Sequence, residues 1–112
     1  MRGHENIISI RKQGLIPAGH VRLVDYPVRE ELLRWSYADD GKYPTVCTAG
    51  DAVDSLDLRF LVALPVHILG DDFKRVQRLA QMARAAGAAM VACVTGDKAA
   101  IWKKGDAKWL SF

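Results

Sequence analysis

Three apolar stretches of this 112-residue chain run out through a glycine into an aspartate: Ala49-Gly50-Asp51, Leu69-Gly70-Asp71 and Thr95-Gly96-Asp97. Asp25 follows Val21-Arg22-Leu23-Val24 directly. Carboxylates gathered at one rim can hold Mg²⁺, which settles for a few carboxylates plus waters and then recruits phosphate oxygens. Asp51, Asp71 and Asp97 are therefore candidate metal ligands, and the chemistry they would support is phosphoryl transfer or nuclease-like phosphodiester hydrolysis. The same pattern also arises without any cofactor, because glycine turns the chain out of a strand and aspartate caps the helix that follows.

A second constellation is cationic. From Phe73 onward eight Lys/Arg stand against two Asp/Glu, a local balance of +6 in a chain whose net charge is +3. Lys74, Arg75, Arg78 and Arg84 recur along one segment, and Lys103, Lys104 and Lys108 interleave with Trp102 and Trp109. Cations that follow a phosphate backbone, set beside rings that stack on bases, are what single-stranded nucleic acid requires of its binder. The expected function is a non-enzymatic accessory or regulatory domain that binds nucleic acid or an acidic protein partner. Lys74, Arg75, Arg78, Trp102, Lys103, Lys104, Lys108 and Trp109 are its candidate contacts, and the Mg²⁺-dependent enzyme is the alternative. An alternating strand sends Trp102 and Lys103 to opposite faces, however, which would put the tryptophans in the core.

Other chemistries lack their residues. There is no Gly-x-Gly-x-x-Gly turn for a dinucleotide and no Gly-x-Ser-x-Gly elbow for a nucleophilic serine. His4, His20 and His67 are scattered without metal-ligand spacing, and His67, amid apolar neighbours, is expected to be a hydrogen-bonded core histidine. Cys47 and Cys93 sit in apolar runs without Cys-x-x-Cys spacing, as buried, reduced thiols would.

The elements that would position these residues alternate. Val21–Val24, Thr45–Thr48, Pro65–Leu69 and Ala88–Val94 read as strands. Between them, Val28, Leu32 and Trp35 mark a helix running to about Tyr37, and Asp54 opens a short helix through Leu58, Leu61 and Val62 that Pro65 stops. The strongest periodicity lies in residues 73–86, where Phe73, Val76, Leu79, Ala80 and Ala83 form the apolar stripe and Gly87 the stop. Residues 6–13 suggest a further short helix, with a strand through Ile7–Ile10 as the competitor, 38–42 a flexible loop, and 101–110 a β-hairpin turning at Lys104-Gly105-Asp106.

Strands alternating with helices predict an α/β fold: a small Rossmann-like sandwich, mostly parallel, with helices on its faces and an antiparallel C-terminal hairpin. The length suits one domain over residues 1–112. Half the residues are apolar and 26% charged, and the longest apolar run, Phe60–Leu69, is too short for a membrane span. A cytoplasmic location is expected, and an exposed edge strand or hairpin would let two copies pair as a homodimer.

Overall fold

The computed structural model describes residues 20–36 and 44–111, with the backbone alone at Trp35, Ser36 and positions 49–51. Strand β1 (Val21–Tyr26) is buried from Val21 through Asp25, as a strand covered on both faces must be. It is followed by helix α1 (Glu30–Ser36), which starts two residues after the expected Val28; its expected end at Tyr37 lies outside the described residues. Strand β2 (Thr45–Ala49) leads into 3₁₀ turns at Gly50–Ser55 and Arg59–Leu61. The continuous helix expected from Asp54 to Val62 is not formed. Asp57 Oδ1 accepts from the Arg59 backbone N at 3.1 Å, a local bond that competes with helical pairing.

Strand β3 (Pro65–Gly70), helix α2 (Phe73–Ala85) and strand β4 (Met90–Thr95) complete the βαβ unit, and β5 (Lys98–Lys103) returns beside β4. The sheet order is β2-β1-β3-β4-β5. The first four strands are parallel and β5 is antiparallel to β4, so the fold is a small α/β sheet of mostly parallel strands, closed at one edge by an antiparallel pair. That pair is not where the turn residues suggested. Thr95 pairs with Lys98 around Gly96-Asp97, while the expected arm after Lys104-Gly105-Asp106 shrinks to a single bridge between Ile101 and Leu110.

Helix α2 is fixed at both ends by its own sequence. The Asp72 carboxylate caps it, accepting from the backbone N–H groups of Lys74 and Arg75 at 2.9 and 3.3 Å. At the other end Gly87 takes φ +95°, its N–H donates to Arg84 O, and Ala88 N–H donates to Ala83 O. This is the paired 5→2 and 6→1 closure that satisfies a helix's last carbonyls. The helix buries Val76, Leu79, Ala80 and Ala83 against Val21, Leu23, Val66, Ile68, Val91 and Cys93 of the sheet, with Val53, Leu58 and Leu61 closing the side. Phe73, expected in that stripe, is 37% exposed instead, with Lys98 Nζ 5.4 Å from its ring. The expected helix over residues 6–13 and the loop over 38–42 lie outside the described residues. Among the described residues no helix is long and apolar enough to cross a membrane.

Candidate functional site

The chain leaves β1 toward β2 on one side and reaches β3 on the other, so the sheet's switch point lies between β1 and β3. In open α/β sheets ligands bind outside the carboxyl ends of the strands at this point. The register sets Thr48, Asp25, Gly70 and Thr95 in one row across that edge. Asp25 and Thr48 are each only 2% exposed. Among the described residues no hydrogen bond reaches Asp25 Oδ1 or Thr48 Oγ1. Gly70 is required by close approach: a Cβ there would lie 2.6 Å from Val76 Cγ2 and 3.0 Å from Asp25 Cβ. Burial pushes the Asp25 carboxyl up to about 6; Arg75 pulls it back, and Asp72 and Asp71 push it further.

This edge differs from the metal site expected from the sequence. Asp71 is drawn toward Arg29, whose Nε lies 3.3 Å from Asp71 Oδ1. Asp97 sits in the β4–β5 turn, where glycine and aspartate serve the reversal of the chain. The Asp51 side chain lies outside what is described. Among the described residues no three His, Cys, Asp or Glu side chains form a group able to hold a metal ion. Among the described residues, Asp25 sets a carboxylate at the switch point, opposite Gly70. Its sequence signal was a carboxylate inside β1, a strand that also buries Arg22.

The cationic residues divide between the two ends of the molecule. Lys74 and Arg75 open α2 at the carboxyl edge, whereas β5 is antiparallel and carries Lys103 to the opposite edge, paired with Met90. Lys74 and Arg84 are roughly 15 Å apart along the helix, ten steps of about 1.5 Å. Between them Arg78 is matched, its Nη1 lying 2.9 and 3.1 Å from the Asp54 carboxylate oxygens. Lys74 and Arg75 therefore lie at the opposite edge of the sheet from Lys103.

At the amino edge Trp102 is 6% exposed, and its Nε1 donates to Asp106 O at 3.0 Å. It belongs to the core and is closed to a stacking base, which corrects its expected role. Trp109 is half-buried, with its ring centroid 6.4 Å from that of Trp102. Arg84 lies over both rings, 4.5 Å from the Trp102 centroid and 5.8 Å from that of Trp109. Lys103, Lys104 and Lys108 are exposed, and among the described residues no ion pair reaches them. Asp106, the acidic residue of this turn, directs Oδ2 to the Lys103 backbone N at 3.0 Å.

Two further expectations concern inert groups. The rings of His20 and His67 meet edge to face with centroids 4.5 Å apart, and His67 is half-buried. Both cysteines are free. Burial raises the Cys47 thiol and pushes Cys93 up to about 12, so neither favours the nucleophilic thiolate. Comparison with protein-family models, with curated proteins and with solved structures finds no match for this chain.

Proposed function

We propose that this chain is a non-enzymatic binding domain for nucleic acid, gripping the phosphate backbone at the amino edge of its sheet through Lys103, Lys104 and Lys108, with Arg84 and Trp109 beside them. The observation that carries the proposal is the contrast in how its cations are matched. Arg29, Arg59 and Arg78 face Asp71, Asp57 and Asp54, whereas among the described residues no ion pair reaches the three lysines around the Gly105 turn, whose one carboxylate, Asp106, accepts from the Lys103 backbone N–H instead. Exposed ammonium groups grouped in this way release counterions when they meet phosphates, which makes binding favourable and sensitive to salt. The test is fluorescence anisotropy of a labelled oligonucleotide across a salt series. Three or four phosphate contacts on a single strand give a log–log slope of roughly −2 to −3. Reversing Lys103, Lys104 and Lys108 together to Glu abolishes binding while the circular dichroism spectrum is retained. Unchanged affinity in that variant overturns the proposal, and poly-glutamate bound as tightly as the oligonucleotide points to an acidic protein instead.

A second proposal rests on Asp25. A buried carboxylate with an unpartnered oxygen, coupled to Asp71 and Asp72, suits a divalent cation held by one or two carboxylates, the Thr48 hydroxyl and waters. Such a cation would supply the Lewis acid for the Mg²⁺-dependent phosphoryl chemistry that is the alternative function. Calorimetric titration with Mg²⁺ and Mn²⁺ decides it: heat that disappears in Asp25→Asn supports the site, and no heat at millimolar metal removes it.

A further inference from the structure

Against Trp109, the residue that follows Lys108 in the chain, runs a groove of about 220 Å³ lined by Gln77, Ala80, Gln81, Trp109 and Ser111. Resting on the nucleic-acid proposal above, we infer that this groove receives one unpaired base against Trp109, so that the domain selects single strands over duplex. The volume is below the roughly 300 Å³ at which sites for drug-sized ligands begin, which suits a single planar ring system. The lining has the chemistry that a base needs. Trp109 packs on the core with Arg84 5.8 Å from its ring centroid, and it is half-exposed where it lines the groove.

Gln77, Gln81 and Arg84 follow one another along α2 at spacings of four and three, on one stripe of the helix. Among the described residues no hydrogen bond engages the amide of Gln77 or Gln81. An amide offers both donor and acceptor and so matches the edge of a base. Arg84 ends the stripe with a positive charge and Lys108 precedes Trp109 in the chain, so the cations stand where the phosphates flanking a seated base would pass. The occupant follows from that charge: from Lys98 to Ser111 the chain has four lysines and a single carboxylate, Asp106. A paired base has both faces stacked and its edge committed to its complement. It reaches Trp109 only by leaving the duplex, at an energetic cost that a single strand does not meet.

The experiment measures anisotropy with labelled ten-nucleotide strands, oligo(dT) and oligo(dA), and with the duplex they form, all at one salt concentration. The wild-type protein is expected to prefer single strands by tenfold or more. Trp109→Leu removes about tenfold of single-strand affinity and most of the preference for single strands over duplex, Trp109→Phe restores most of the loss by supplying a ring, and Gln81→Ala changes the ratio of oligo(dA) to oligo(dT) affinity. Salt-dependent binding with no preference for single strands, or a preference that survives Trp109→Leu, overturns the groove while leaving the lysine surface standing. Absence of salt-dependent binding to either form overturns the underlying proposal and the groove with it.

Discussion

At Asp25 the sequence sets a carboxyl among apolar neighbours and the fold shuts it from water without a partner for Oδ1. An ordinary aspartate titrates near 3.9, so a folded-state value of about 6 means that protonation favours the folded chain. The sign follows from linkage: the stability associated with this group is fully present below about pH 4 and is lost as pH rises through 6. Arg75 opposes the shift, while Asp72 and Asp71 reinforce it. Asp25→Asn removes the titration and keeps the shape. Thermal melts should show it more stable than wild type at pH 7.5, on the order of 1–2 kcal/mol, with a flatter stability profile between pH 4 and 6.5. A wild-type profile that rises with pH across that window contradicts the assignment. The sequence made Asp25 visible as a strand exit, but its burial depends on Gly70 admitting Val76 to 2.6 Å of where a Cβ would stand, a contact between segments that no local pattern reports.

Among the elements, α2 was the most legible because its stripe, its cap and its stop residue all agree. Asp72, the apolar positions from Val76 to Ala83, and Gly87 each perform the task their type suggests. The C-terminal pairing was less legible because two turn signals compete within ten residues. Gly96-Asp97 takes the hairpin, leaving Lys104-Gly105-Asp106 to be closed by Trp102 Nε1 on Asp106 O and by Lys103 N on Asp106 Oδ2. Which signal wins depends on β5 having β4 to pair with, and that is a tertiary fact. The cap can be tested by separating its hydrogen bond from its charge. Asp72→Ala should cost about 1 kcal/mol in urea denaturation, whereas Asp72→Asn retains an acceptor oxygen and should cost much less. Equal losses in the two variants would show that the charge beside the helix N-terminus matters more than the bond.

For the molecule as a whole, the direction of β5 decides how charge is laid out. A parallel fifth strand would have brought Lys103 to the carboxyl edge beside Lys74 and Arg75. The antiparallel return places it at the far end, so acidic Asp25, Asp71, Asp72 and Asp97 occupy one rim and Lys103, Lys104 and Lys108 the other. The cluster of cations near the C-terminus was legible in the sequence, but its separation from the start of α2 was not, since strand direction is fixed only by the closed turn. Charges this far apart act independently: Arg75 and Arg84 are separated by roughly 13 Å of helix, beyond the Debye length of about 8 Å at physiological salt. Removing the Asp25 charge should therefore leave oligonucleotide affinity within twofold of wild type at 0.15 M salt. Conversely, reversing Lys103, Lys104 and Lys108 to Glu should leave the pH profile of stability intact. A tenfold change in oligonucleotide affinity in Asp25→Asn would mean that the nucleic acid reaches the switch point as well, which would join the two rims into one binding path across α2.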